Sequence, residues 1–289
     1  MRLIFINIVV FVILLVLAVG AVLLNSNPDA MTRWVQLPGD LGLLLRRPWT
    51  LLTYMFAHID FLHILFNMLW LYWLGRIFME YFSPKQLAGL YLLGGWAGAL
   101  FFLLATNTLP YFTSHAQVFY LLGASASVVA IVVATAVYAP DYRIGLLFLG
   151  EVSLKWVAIV TVLISLASMG GGANMGGNIA HIGGAIVGAW FALRIKRGVD
   201  ITRPLNACID AIVGLFNGRN FKRLRIKRSA EPKAKQKNGK PQSDAPRESG
   251  GVPEDELDEI LKKIKAAGYD ALSEEERGKL FKASQRRTP

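Results

Sequence analysis

The sequence predicts an all-α membrane protein, a bundle of six transmembrane helices followed by a cytoplasmic helical tail. Three observations predict it. The 289 residues are 54% hydrophobic, with a mean hydropathy of +0.41, and charges collect between and after apolar blocks instead of alternating with apolar residues. Six apolar segments approach the roughly 20 residues that carry a helix across a bilayer. Lys and Arg gather in loops that a six-span topology places on one side. The single cysteine, Cys208, excludes an intrachain disulfide framework.

The segments run over 3–24, 62–82, 86–105, 120–138, 145–167 and 178–195. The first has an alternative as a cleaved signal peptide, with Arg2 as its basic start and Ala18-Val19-Gly20 as a cleavage site. Its apolar run is longer than a typical signal core. In the six-span topology Arg2, Arg76, Lys85, Arg143, Arg194, Lys196 and Arg197 share one face of the membrane. The third loop (107–117) and the fifth (168–177) carry no Lys, Arg, Asp or Glu and lie opposite. Both termini are then cytoplasmic. The first loop breaks the pattern with Arg33, Arg46 and Arg47. It also holds Trp34, Pro48 and Trp49, which suits a partly inserted interfacial segment.

Residues 1–197 therefore form the membrane core. A juxtamembrane segment, 198–230, follows, with Leu205, Cys208, Ile209, Ile212, Val213 and Phe216 at helical spacing and a basic run at 221–228. The net charge of +11 is densest from 194 to 228, opposed there only by Asp200 and Asp210. A basic run directly after a span points to anionic lipid head groups and away from nucleic acid. A solvated linker is the alternative. Residues 231–252 read as a disordered linker. Residues 253–289 read as a small helical hairpin: Leu257, Ile260, Leu261 and Ile264 form an apolar stripe, Gly268 ends the helix, and Ser273 with Glu276 forms a capping box for the next.

Polar residues at bilayer depth are costly and point to a site. His63 and Asn67, four apart, share a face of the second span. His58 precedes that helix and reads as a structural hydrogen-bond partner. Ser125 opens the fourth span, beside a ladder of small residues at Ala126, Ala130 and Ala134. The sixth span carries a matching ladder, Ala180, Gly184 and Gly188, next to His181. Packing the two ladders brings backbones close and sets a serine hydroxyl near an imidazole, the pairing of nucleophile and base in covalent catalysis. No acid completes a triad: Asp141 and Glu151 lie toward the cytoplasmic ends of their spans, and Asp60 sits in a loop. The prediction is a Ser125–His181 dyad with the imidazole oriented by packing and backbone. An oxyanion would meet Asn67, His63 and the Ser125 backbone N–H, with the helix dipole adding to them. No cofactor and no metal are expected.

His58-(x4)-His63-(x3)-Asn67-Met68, Gly123-Ala124-Ser125-Ala126 and Ala180-His181-(x2)-Gly184-(x3)-Gly188 together resemble the three motifs of the rhomboid intramembrane serine proteases, bacterial six-transmembrane type. Pro48-Trp49 resembles the family's first-loop region, and the likeness covers roughly 1–195. The resemblance implies a rhomboid-like bundle. It makes Ser125 the nucleophile, His181 the base, Asn67 and His63 oxyanion donors, and His58, Gly123, Ala126 and Gly184 structural neighbours. It implies cleavage of single-span membrane-protein substrates at small or helix-breaking sites, in the plasma (inner) membrane if the source is bacterial. The tail resembles a short helical module that follows some bacterial rhomboid cores, and no activity is carried over from it.

Two positions depart from the usual pattern. Ala126 stands where the family's nucleophile motif has glycine, and a single methyl group leaves activity expected. Val129 stands where some relatives place an aromatic ring against the histidine. His115 has no motif partner and reads as a loop residue. The glycine-rich stretch 169–177 before His181 reads as a movable cap or as a short tolerant connection. Two rival functions remain at this point. One is a catalytically inactive relative that binds membrane helices. The other is a transporter or channel using His63, Asn67 and His181 along a polar path.

Overall fold

The computed structural model of the chain describes residues 2–114, 119–146, 150–169, 174–216, 259–260, 262–264 and 272–285. The chain divides into two compact units, Met1–Ser229 and Ala230–Pro289.

In the first unit, α1 (Arg2–Leu23) has no charged residue after Arg2 and exposes most of its apolar side chains, as a helix in lipid does. Its one polar residue in mid-span, Asn7, is fully buried. Nδ2 of Asn7 donates to Leu3 O at 2.9 Å and to the Tyr91 hydroxyl at 3.0 Å, and that hydroxyl donates to Met55 O at 2.7 Å. An unpaired amide in hydrocarbon is costly, so this bond ties α1 to the bundle.

The first loop folds into α2 (Pro28–Thr32), β1 (Leu37–Pro38), α3 (Leu41–Arg46), α4 (Thr50–Thr53) and a 3₁₀ turn (Tyr54–Phe56). Asn27 and Asp40 cap α2 and α3. Trp34 and Trp49 stack with centroids 6.1 Å apart, and the Arg47 guanidinium covers Trp34 at 4.2 Å.

Two long helices follow. Asp60 caps α5 (Phe61–Tyr81) by accepting the His63 N–H at 2.7 Å. Ser83 and Gln86 form a capping box at the start of α6 (Pro84–Thr108). A short α7 (Pro110–Thr113) leads to β2 (Tyr120–Leu121), which pairs antiparallel with β1, Leu37 opposite Leu121.

The helix α8 (Ser125–Tyr138) is buried at every residue from 126 to 136. A helix apolar all round belongs in the centre of a bundle. Two close neighbours are α6 and α10 (Met175–Ile195). A Cβ added at Gly94 would lie 2.5 Å from the Ala130 methyl, one at Gly98 2.6 Å from the Ala126 methyl, and one at Gly183 2.5 Å from Ala97 O. At Gly184 and Gly188 an added Cβ would strike Ala126 O and Ala130 O. Small residues thus bring three backbones together around α8.

The fourth and fifth helices start later than the apolar pattern predicts. Tyr120 and Leu121 pair as a strand, so α8 begins at Ser125. Next, β3 (Arg143–Leu146) and β4 (Gly150–Ser153) pair antiparallel as the arms of a hairpin, with a 3.4 Å Arg143–Glu151 ion pair between them, and α9 (Leu154–Met169) follows. The two charged groups of this stretch are costly at bilayer depth despite its apolar neighbours. Among the described residues, α1, α5, α6 and α10 are long and apolar enough to cross a membrane, and α8 and α9 are shorter apolar helices of 14 and 16 residues.

After the last long helix, α11 (Arg203–Phe216) is an amphipathic helix. It is anchored to the start of α6 by a 2.6 Å Lys85–Asp210 ion pair, and Gln86 bonds Asp200 at 3.0 Å. The basic run at 221–228, the linker at 231–252, Leu257, Leu261 and Gly268 lie outside the described residues.

In the second unit a helix spans Glu274–Gln285. Ser273 N–H donates to the Glu276 carboxylate at 2.8 Å, and Ser273 Oγ accepts the Glu276 N–H at 3.3 Å, the reciprocal capping box. Lys263 bonds the same carboxylate at 2.9 Å. Ile260 and Leu272 are buried.

Candidate active site

A cleft of about 450 Å³ opens between α5, α8, α9 and α10. Its polar lining is Asp60, His63, Asn67, Ser125, Thr161, Ser165 and His181, and Trp70, Val128, Val129 and Ile164 are among its apolar wall. The structure therefore gathers both predicted dyad residues and both predicted oxyanion residues around one space.

Ser125 is the first residue of α8 and is partly exposed, whereas residues 126–136 after it are buried. The turn before it is held from two sides. Gly123 N–H donates to Tyr54 O at 2.9 Å, and Ala124 N–H donates to His58 Nε2 at 3.2 Å. Gly123 has φ +107°, a conformation that side chains disfavour. The position is also crowded: a Cβ there would fall 2.7 Å from His63 Cε1 and 3.0 Å from its Nε2. The missing side chain lets the His63 imidazole lie against the backbone that delivers Ser125.

His58 is completely buried. Because Nε2 accepts the Ala124 N–H, the ring proton sits on Nδ1, which lies 3.3 Å from Phe56 O as its donor. Its ring meets His63 edge-on with centroids 5.2 Å apart. Both nitrogens are engaged by backbone, so His58 braces the serine turn and does not line the cleft. Asn67 is buried, and its Nδ2 donates to His63 O at 2.8 Å, leaving its carbonyl and a second N–H proton for other partners.

His181 lies one residue after Ala180, which packs against Gly98 of α6. Its Nδ1 is 3.0 Å from Ser165 Oγ of α9. Its Nε2 is buried and makes no hydrogen bond, so Ser125 and His181 share the cleft without being bonded to each other. Sequence reasoning missed Ser165. The available signal was its spacing of four from Thr161, which puts two hydroxyls on one face of the fifth apolar segment. It also missed Tyr54, whose hydroxyl donates to Gly95 O and whose carbonyl holds Gly123.

The other predicted positions fall as follows. Gly184 lies against the Ala126 backbone, and the Ala126 methyl packs where Gly98 has no side chain. That vacancy in α6 accommodates the methyl group that replaces the usual glycine. Val129 is in the cleft wall. Asp141 is engaged by Lys155 at 2.7 Å, and this hydrogen bond holds its carboxyl below the ordinary range. Glu151 is engaged by Arg143. His115, and residues 170–173 of the predicted cap, lie outside the described residues. Asn174, just beyond them, has φ +48°. Among the described residues no group of three or more His, Cys, Asp or Glu could hold a metal ion.

A bundle of apolar helices around a cleft that gathers a few polar side chains defines a multi-pass integral membrane protein. A family model, the Rhomboid domain, matches residues 45–197, more than half of the chain, and the protein belongs to the rhomboid family. It is also similar to RHOMBOID-like protein 12, mitochondrial, of Arabidopsis thaliana, with 32% identity over 158 residues. That match covers 52% of this chain and 47% of the relative, so the chain spans about half the length of the curated relative it matches.

Proposed function

We propose that the protein is an intramembrane serine endopeptidase that cleaves transmembrane segments of single-span membrane proteins. One observation carries this reading: Ser125, the partly exposed first residue of a helix buried over its next eleven residues, shares a cleft with a histidine whose Nε2 is unpartnered. In this reading Nε2 takes the hydroxyl proton as Ser125 Oγ attacks the scissile carbonyl carbon. The resulting oxyanion meets the Ser125 N–H, one of the free amides at a helix start, with Asn67 and His63 beside it. The imidazolium then gives its proton to the leaving amine as the peptide bond breaks. Water, deprotonated by the same nitrogen, hydrolyses the acyl-enzyme and frees Ser125.

The test is cleavage of a single-span reporter together with labelling by a fluorophosphonate. Ser125→Ala and His181→Ala each lower cleavage by roughly a thousandfold or more, and Ser125→Ala abolishes labelling. Turnover that persists in Ser125→Ala rules the reading out.

A second reading has its own support. No Ser125–His181 hydrogen bond is made, as suits an inactive rhomboid-like protein that binds membrane helices. It predicts reporter binding without turnover and no labelling of the wild type.

Two placements belong with the proposal. The loop charges favour both termini in the cytoplasm, and the family likeness, in a bacterial source, suits the plasma membrane. The basic segment after α11 suits anionic lipid head groups.

A further inference from the structure

Ser165 is buried, 6% exposed, and comes from a helix that supplies no predicted site residue. Its hydroxyl makes two contacts. It lies 3.0 Å from Thr161 O and 3.0 Å from His181 Nδ1. A hydroxyl has one proton to donate, and a backbone carbonyl can only accept. Both contacts are hydrogen bonds at once only if the Ser165 proton goes to Thr161 O. The remaining contact is satisfied only if Nδ1 carries a proton and Ser165 Oγ accepts it. In the neutral ring Nε2 is then the bare nitrogen, and Nε2 is the atom left buried and unpartnered in the cleft.

We propose that Ser165 is the positioning residue of the dyad: it fixes the tautomer and rotation of His181 so that Nε2 is the base. This rests on the protease reading above. Ser165 takes the place that a carboxylate holds in a triad, with a difference in charge. The chain Thr161 C=O···H–Oγ···H–Nδ1 is neutral, and polarising one bond strengthens the next. It needs no buried anion, which at this depth would be costly. When Nε2 gains the serine proton, the Nδ1 proton stays in place and the Ser165 oxygen accepts from a stronger donor. The chain is anchored on the backbone of α9, so the ring orientation is coupled to where α9 sits against α10.

The test uses the full-length protein in detergent micelles. Ring nitrogens are labelled with ¹⁵N, and the His181 signals are identified by their loss in His181→Asn. At a pH where the ring is neutral, the wild type shows a protonated Nδ1 and a bare Nε2. Ser165→Ala shifts the tautomer balance and lowers kcat roughly ten- to a hundredfold with KM within about twofold, the weight that partners orienting metal-bound imidazoles carry. Ser165→Thr keeps the hydroxyl and restores both readouts.

A wild-type ring protonated on Nε2 overturns the proposal. So does a Ser165→Ala variant that keeps the wild-type kcat or the wild-type tautomer. The wild-type spectrum decides the matter even where Ser165→Ala fails to fold. Failure of the protease reading shows separately, as turnover that survives Ser125→Ala, because the tautomer is read without catalysis.

Discussion

His58 Nε2 accepts the Ala124 N–H at 3.2 Å, binding the segment before α5 to the residue before Ser125 across 66 positions of sequence. An amide in a buried turn has no water to replace that acceptor. Leaving it unpaired costs about 1–3 kcal/mol. His58→Ala therefore lowers stability by that amount, measured by denaturant titration in detergent, and lowers cleavage in parallel because Ser125 is less firmly held. Cleavage abolished with stability untouched would show that His58 acts in the chemistry instead of bracing it.

Gly123 answers two demands at once, a φ of +107° and the closeness of His63. Gly123→Ala meets both penalties: the left-handed conformation costs roughly 1–3 kcal/mol, and the new methyl displaces the imidazole. Cleavage falls with stability. The two penalties separate in a double-mutant cycle, since His63→Ala removes the clash and leaves the strain. The double variant is expected to be more stable than the sum of the singles predicts. Strict additivity would mean that the ring does not press on Gly123.

Ala126 departs from the family's usual glycine, and its surroundings say what the methyl group does. It packs over Gly98 on one side while Gly184 closes on its backbone. Ala126→Gly keeps cleavage within about threefold but loses about 1–2 kcal/mol, from one buried methyl and the poorer helix propensity of glycine. Ala126→Val adds bulk where α6 and α10 have no room and costs roughly 1–3 kcal/mol or more, with cleavage lost. A neutral Ala126→Val would contradict the three-helix contact.

These residues also show which features were legible in advance. The small-residue ladders of α8 and α10 could be read because a spacing of four marks a helix face whatever lies opposite. The apolar segments could be read because a bilayer demands length. The β1–β2 pair could not, since two residues carry no period. Nor could the delayed start of α9, where a hairpin takes residues whose neighbours are apolar. Ser165 was hidden for another reason. A serine inside an apolar helix commonly bonds the carbonyl four residues back, and Ser165 does so to Thr161. Only its second contact, made by the packing of α9 near α10, distinguishes it.

The second unit carries a pH dependence of its own. The Lys263 hydrogen bond, with the Ser273 N–H adding to it, holds the Glu276 carboxyl down at about 2, against an ordinary value of 4.5. A carboxyl depressed in the folded state binds fewer protons there than when unfolded. Its contribution is therefore present above pH 4.5 and lost as the pH falls toward about 2. The helix Glu274–Gln285 should lose hydrogen-exchange protection over that window, measured on the full-length chain against unstructured reference rates. Glu276→Gln removes the titration, so its protection should be lower at neutral pH and flat across the same range. The pair is solvent-accessible, so raising the salt concentration should shrink the difference between the two proteins. A wild-type helix whose protection is unchanged between pH 5 and 2 would show that the Lys263 and Ser273 contacts do not hold the start of this helix.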